Sequence, residues 1–378
     1  MKLLIISQDP AILREDSSAH QRVRFYAGTG DEWHMIVMSE EVHVARAYTN
    51  LFVYPACARS RILQRFQAYR RAAALCRAMH FDVISAQGPD ETGLIAFALS
   101  RRFHIPLQLQ VHTDVMSKWY RKASWKEFAR YYLAQFLLPR AQCIRVVSER
   151  IAKSIASHFQ YPLSCLSILP IFTDIKNFID ATHDEKIEAR FRNYSFKMIA
   201  VGRFMEKEKN FSLLFFMMRE FVTLCPDALL VVVGEGPDRK YYESMRHRHH
   251  LEKNVIIEPW RNDLASFYQS FDLFLLPSNF EGWGAAVLEA MASGLAVVMT
   301  DVGLAGEVIT DGENGRVVPV GSVKDFFSAI NDLYRDQKKR YLFAERGRAT
   351  VQQYVEETKS RYLSRMKKSF ELCINKCL

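Results

Sequence analysis

Asp272-Leu-Phe-Leu-Leu-Pro-Ser-Asn-Phe-Glu281-Gly-Trp-Gly284-Ala-Ala-Val-Leu-Glu289-Ala-Met-Ala-Ser-Gly294-Leu-Ala-Val-Val-Met299 decides the fold. Two short apolar runs, 272–276 and 295–299, bracket a helical stretch. An apolar strand, a loop, a helix and a second apolar strand make one parallel crossover unit. Strands that are apolar along their whole length are covered on both faces. Glycines 282 and 284 bring backbone close to a ligand and leave helix N–H groups free for an anion. Glu281 lies in the loop and Glu289 about two turns into the helix. Both can accept hydrogen bonds from hydroxyls of a polyol, and both also fit a solvated helix face.

The same alternation extends outward in both directions. In the second half, strands are expected at 197–202, 228–233 and 254–257; in the first half at 2–7, 34–38, 82–86, 107–112 and 143–147. Helical stretches fall between them, near 59–79, 91–102 and 124–138. Two such series predict an α/β protein with two doubly wound, Rossmann-like domains. The boundary falls within 167–190, giving domains 1–175 and 176–355. A basic helix over 352–370 leads into a terminal segment, 356–378, expected to pack back on the first domain. Two facing sheets would enclose a central cleft, with function in the loops after the strands.

The chain has 378 residues, 49% hydrophobic and 25% charged, which fits a globular protein of ordinary composition. No apolar run reaches the ~20 residues of a membrane span. The N-terminus reads as a strand rather than a signal peptide, so a cytoplasmic location is expected. Seven cysteines are scattered without a CxxC, which predicts free thiols rather than disulfides or a zinc site. The net charge of +9 is uneven: residues 1–180 hold 23 Lys and Arg against 15 Asp and Glu. That half suits an anionic partner, or is merely a basic surface.

Two further loops follow strands of the second series. In Gly202-Arg203-Phe-Met-Glu-Lys207-Glu-Lys209, Arg203 offers a planar fork for phosphate oxygens and Lys209 a flexible point charge. Gly234-Glu-Gly236-Pro-Asp238 is a glycine turn without the third glycine of a dinucleotide fingerprint, which argues against a nicotinamide enzyme.

Together these segments resemble the retaining glycosyltransferases of family 4, which have the GT-B fold. The resemblance rests on Glu281 and Glu289 at their seven-residue interval, the Glu-Ala-Met-Ala-Ser-Gly run at 289–294, Thr300-Asp301, Glu307, Asp311-Gly-Glu-Asn-Gly315, the Arg203–Lys209 pair and the 234–238 turn. It implies that Glu281 contacts the donor sugar and Glu289 the ribose. It implies that Arg203 and Lys209 stabilise the departing diphosphate, with Gly202, Gly234, Gly282, Trp283, Gly284 and Ala285 lining the donor site. Trp260 and Arg261 stand where the family meets the base, although a glycine is common near Trp260. His112, at a strand end in Gln110-Val-His112-Thr-Asp114, corresponds to a histidine beside the reacting sugar carbon; Asp114 is the nearest alternative acid or base. The loop 9–24 lacks the glycines of many relatives, so Ser17, Ser18, His20 and Arg22 are expected to bind acceptor or diphosphate instead.

The implied activity is retaining transfer from a UDP- or GDP-sugar to a hydroxyl of a glycan or polyprenyl-diphosphate-linked acceptor, in bacterial cell-surface polysaccharide synthesis. No DxD motif is present, so neither metal nor other cofactor is expected. The basic, aromatic stretches 59–77 and 118–139 suit peripheral contact with an anionic membrane at its inner face. Alternatives are a nucleotide-sugar epimerase on the same fold and an inactive glycan-binding scaffold. No nucleic-acid-binding signature is evident.

Overall fold

The computed structural model describes residues 1–261, 263–355 and 358–375. The chain forms two compact units: residues 1–170 with the segment from Thr358 onward, and residues 171–357.

The first unit is built on eight strands: β1 (Lys2–Ser7), β2 (Glu32–Ser39), β3 (Arg46–Ala47), β4 (Leu51–Cys57), β5 (Val83–Ala86), β6 (Leu107–Val111), β7 (Cys143–Val146) and β8 (Leu166–Ile168). Their order is β3-β4-β2-β1-β5-β6-β7-β8. All pairings are parallel except β3 with β4. Leu3, Leu4, Ile5 and Ile6 of β1 have no exposed surface, because helices cover both faces of a parallel sheet. Chain order reverses between β1 and β5, so the loops after these two strands open a crevice at the carboxyl edge.

β4 was hidden in the sequence by Pro55. It pairs with β2 on one side, while β3 covers only Phe52 and Val53 on the other. Beyond that β4 is an edge, the position in a sheet that tolerates proline. The glycine-free loop after β1 turns by caps instead. Asp9 accepts from the Ala11 N–H at 3.1 Å, and Ser17 caps the helix Ser18–Tyr26 by accepting from the His20 N–H at 3.0 Å.

The second unit holds β9 (Phe196–Val201), β10 (Ala228–Val233), β11 (Val255–Glu258), β12 (Leu273–Leu276), β13 (Ala296–Thr300) and β14 (Arg316–Val318). The sheet is wholly parallel, in the order β11-β10-β9-β12-β13-β14. Its order reverses between β9 and β12. Phe211, Phe215, Phe221 and Phe326 fill the core beneath it.

The terminal region differs from the single helix expected over 352–370. One helix spans Gln337–Val355 in the second unit, and another, Lys359–Asn375, belongs to the first. Tyr362, Met366, Phe370 and Cys373 of the latter are buried on one stripe at helical spacing. Phe370 meets the Trp33 ring edge-on at 5.6 Å, and the Gln108 side-chain amide donates to the Ser369 carbonyl at 2.7 Å.

The expectation of free thiols fails at two positions: Cys143 of β7 is disulfide-bonded to Cys373 of this helix. The partners are 230 residues apart, a separation that carries no pattern, and only the return of the helix brings them together. Cys57, Cys76 and Cys225 are free thiols; Cys377 lies outside the described residues. Non-reducing peptide mapping should recover Cys143 and Cys373 on one cross-linked pair of peptides. Replacing both by serine should lower stability by about 2–4 kcal/mol; recovery of both as free thiols from unreduced protein would contradict the pairing.

Candidate active site

The reversal between β9 and β12 is where the second unit gathers its polar residues. The loop after β9 carries Gly202 and Arg203, and the helical turn Glu206–Lys209 that follows ends on Lys209; the loop after β12 carries Ser278 and Glu281. Lys209 Nζ lies against Glu281 Oε1 and 3.2 Å from Glu208 Oε1. The Ser278 hydroxyl donates to the same Glu281 oxygen at 2.8 Å. Burial alone would depress the lysine's pKa, but the two carboxylates outweigh it and raise it. Lys209 is therefore a fixed cation. Arg203 is exposed, 3.2 Å from Glu208 Oε2, and its guanidinium is open to solvent.

Glycines let these loops close on one another. A Cβ on Gly234 would stand 1.9 Å from the Gly202 carbonyl oxygen, so the turn after β10 accepts no side chain there. Gly284 has φ +96° and caps the helix Ala285–Ala292, whose first N–H groups point out of the turn. Glu281, Gly282 and Trp283 are buried in that turn.

Glu289 is on the inner side of the same helix. Burial pushes its carboxyl up to about 7, with the nearby Tyr268 opposing in part. The Tyr268 hydroxyl is itself buried and has no ordinary hydrogen-bond partner among the described residues. A carboxyl that is half ionised near neutrality can gain from hydroxyl donors.

The base-side residues are less alike. Trp260 is 55% exposed. Arg261 is already engaged: it forks onto Asp263 at 2.8 and 2.6 Å and lies over the Phe267 ring at 4.2 Å. Glu258, at the start of the same segment, is paired with Arg190 and lies 3.6 Å from Arg261.

His112 belongs to the first unit, just past β6. Its Nε2 is 3.2 Å from Gln110 Oε1, which also accepts from Arg145 Nη1 at 3.0 Å. Gln110 Nε2 donates to Ser85 at 2.9 Å, so the amide orientation is fixed. His112 must then donate through Nε2–H, leaving a lone pair on Nδ1, an atom that is buried and unpartnered among the described residues. Burial, with the charges of Arg145 and Arg22, lowers its pKa to about 3. The ring is neutral at physiological pH. It can accept a hydrogen bond but is a poor general acid. Neither Gln110 nor Arg145 was singled out from sequence, although an arginine inside the apolar run 143–147 was a visible anomaly.

The residues expected at the acceptor divide. Ser18 and Arg22 face outward from the helix Ser18–Tyr26. His20 does not: it is 1% exposed and its Nδ1 lies 2.7 Å from the Ile12 carbonyl, so it braces the turn from inside. This corrects its expected role, because helical spacing turns it to the inner face. Asp114 is largely buried, which raises its pKa, and accepts from the Met116 N–H at 3.3 Å.

Two family profiles match adjoining stretches of the chain. Residues 18–177 fit the one described as Glycosyltransferase Family 4, and residues 183–350 the one described as Glycosyl transferases group 1. The chain belongs to glycosyltransferase family 4. This family 4 chain is 26% identical over 281 residues to the sulfoquinovosyl transferase SQD2 of Arabidopsis thaliana, covering 72% of this chain and 54% of that protein. It thus spans about half the length of that relative, and the 30% identical match to the lipopolysaccharide core glycosyltransferase LpsE of Rhizobium meliloti covers 44% of LpsE. It is 24% identical over 284 residues to an N-acetylgalactosaminyltransferase of Campylobacter jejuni named for a diphospho-undecaprenol-linked sugar, covering 74% of each. Among solved structures, HepE of Anabaena, in complex with UDP, superposes with a TM-score of 0.74 at 17% identity, covering 98% of this chain and 100% of that one. Sucrose-phosphate synthase of Thermosynechococcus elongatus gives 0.80 at 17%, covering 98% of both. The fold is GT-B.

Lys209→Met should cost about 3 kcal/mol in urea unfolding, because it strands two carboxylates around a buried position. Glu281→Gln should cost less, since Glu208 still faces the lysine. A Lys209→Met protein as stable as wild type would show that the pair is not the anchor of this site.

Proposed function

We propose that the protein is a retaining glycosyltransferase that moves a sugar from a nucleoside diphosphate sugar to a hydroxyl of a glycan or lipid-linked acceptor, in synthesis of a bacterial cell-surface polysaccharide. The observation that carries this reading is the reversal point of the second unit. There a buried, always-charged lysine lies against buried Glu281, with an exposed arginine beside the same ion pair and a helix start that follows Glu281 and carries Glu289. Such a set suits a polyanion joined to a polyol, which is what a nucleoside diphosphate sugar is.

In the proposed reaction the bond from the anomeric carbon to the β-phosphate oxygen breaks. The bond to the acceptor oxygen forms on the same face, and the acceptor proton passes to the departing phosphate. Arg203 and Lys209 neutralise the charge that grows on the diphosphate, and the Gly284–Ala285 N–H groups add to them. Glu281 holds Lys209 and faces the sugar; Glu289 accepts the ribose hydroxyls; Trp260 offers a face for the base. With two cations in this position, no metal is required. Epimerisation would need an acid–base pair at the sugar, and Lys209, ion-paired to Glu281 and held charged, is a poor member of one.

A thermal-shift panel of UDP, GDP, ADP, CMP and their sugar conjugates tests the reading. A ligand at about 100 Kd adds about 2.7 kcal/mol to wild type. Arg203→Ala and Glu289→Ala should lose that response. Affinity should fall as pH drops through about 7, where the Glu289 carboxylate takes up its proton, and the fall should be absent in Glu289→Gln. Transfer should survive EDTA. No response to any nucleotide, or strict manganese dependence, would overturn it.

The proposal includes peripheral membrane contact through the first unit. Exposed Phe66, Phe128 and Tyr132 lie on the basic helices Arg61–Ala78 and Trp125–Leu137. No helix of the described residues is long and apolar enough to cross a membrane. Sedimentation with anionic liposomes should occur at low salt and be reversed at high salt; equal binding to neutral liposomes, or none at all, would remove this part.

A further inference from the structure

One face of the first sheet carries polar side chains where its strands are otherwise apolar. Ser85 of β5, Gln108 and Gln110 of β6 and Arg145 of β7 are all buried. Ser85 stands opposite Gln108, and Gln110 opposite Arg145, in the parallel register. The helix Lys359–Asn375 meets this face through Ser369 and Tyr362. A buried polar group costs stability unless it is bonded, and these groups are bonded to one another and to the helix.

The bonds run in one direction. The Ser369 carbonyl can only accept, so Gln108 turns its Nε2 to it, at 2.7 Å. Gln108 Oε1 then accepts from the Ser85 hydroxyl at 3.0 Å, and Ser85 accepts from Gln110 Nε2 at 2.9 Å. From the other side comes Arg145, which can only donate; its Nη1 lies 3.0 Å from Gln110 Oε1. Both constraints turn the same oxygen of Gln110 to His112 Nε2, 3.2 Å away.

Arg145 is itself held by the Leu169 carbonyl at 3.4 Å and the Tyr362 hydroxyl at 3.1 Å, and that hydroxyl donates to the Pro170 carbonyl at 2.9 Å. Its hydrogen-bond partners among the described residues are all neutral, a costly state for a buried guanidinium. The helix thus anchors Gln110 by two branches, one ending on Ser369 and the other on Tyr362.

We infer that this helix sets the tautomer of His112 through both branches, and that Gln110 and Arg145 are positioning residues for the transfer. The lock keeps the proton on Nε2 and presents Nδ1, buried and without a partner among the described residues, as an acceptor for a hydroxyl. Burial, together with the charge of Arg145, keeps the ring from taking a second proton. The part played in transfer rests on the transferase reading; the lock itself stands on the hydrogen bonds.

Long-range proton–nitrogen NMR of the full-length protein, isotopically labelled at the histidine ring nitrogens, reads the tautomer directly. His112→Asn assigns the signal, and the rest of the 11 histidines report folding. Wild type should carry the proton on Nε2 alone at neutral pH; a proton on Nδ1, or a mixture, overturns the lock. Arg145→Met and Gln108→Leu should each keep Nε2–H, because the other branch still holds Gln110. Together they should give a mixture, since the Ser85 hydroxyl can then donate to Gln110 and let the amide turn. A double variant that keeps pure Nε2–H, or a single variant that already loses it, overturns the two-branch arrangement. Should the double variant fail to fold, Gln110→Leu must give the mixture, and Gln110→Glu, which presents an acceptor whichever way it turns, must keep Nε2–H; any other pattern overturns the lock.

Nucleotide release is then followed with the sugar conjugates of UDP, GDP, ADP and CMP as donors. Gln110→Leu should lower kcat about tenfold and leave KM for the donor unchanged, and Gln110→Glu should restore kcat. A changed tautomer with unchanged kcat overturns the positioning role. If wild type consumes none of these donors while the tautomers behave as stated, the transferase reading falls and the lock stands.

Discussion

Strands buried on both faces can carry polar function only where they end. β1, β9 and β12 are close to wholly apolar, and their pairings are parallel. Most charged residues with a chemical task are thereby displaced into the loops and helix starts at one edge. At a reversal of strand order, neighbouring loops diverge and leave room. Both units have such a point, and in the second unit a cluster of cations and carboxylates gathers there. The chemistry is a consequence of the topology before it is a consequence of any one residue.

The two reversal points treat charge differently. In the second unit Lys209 is enclosed by Glu208 and Glu281 and is almost neutralised locally. That arrangement is costly to break, so it fixes geometry. In the first unit Arg65 and Arg130 are held by Glu91, with Asp90 3.8 Å from Arg130, and Glu40 and Glu41 line the same cavity as the remaining cations, Arg14, Arg61 and Lys126. The Lys209 cluster is closed and rigid; the cavity beside β1 is open. The uneven distribution of charge along the sequence is the faint outline of this contrast.

Much of this was legible in the chain. The apolar runs found ten of the fourteen strands, because burial on both faces leaves a local signature. β3, β8 and β14, of two or three residues each, are too short to leave one, and β4 was masked by Pro55. Glu281, Arg203 and Lys209 stood out because they sit at fixed intervals just past strands, and the fold brings Lys209 against Glu281. Their partners were not: nothing local marks Glu208 or Ser278 as the groups that hold them. His20 was misread because a histidine in a loop-like stretch looks exposed until its helix has a direction. The cations of the first unit were read as two separate basic, aromatic stretches suited to a membrane, since Arg61 and Lys126 are far apart in the chain and meet only across a cavity. Cys143 and Cys373 failed in the same way.

The return of the helix Lys359–Asn375 to the first unit has a consequence for the order in which the protein can be made. The second unit is an insert: residues 171–357 interrupt a domain whose core includes Tyr362, Met366 and Phe370. On a ribosome, the inserted domain is finished while the domain that started first still lacks part of its interior. Until Phe370 arrives, Trp33 has no aromatic partner from that helix, and Cys143 keeps its thiol. The domain that is begun first is the last to be sealed.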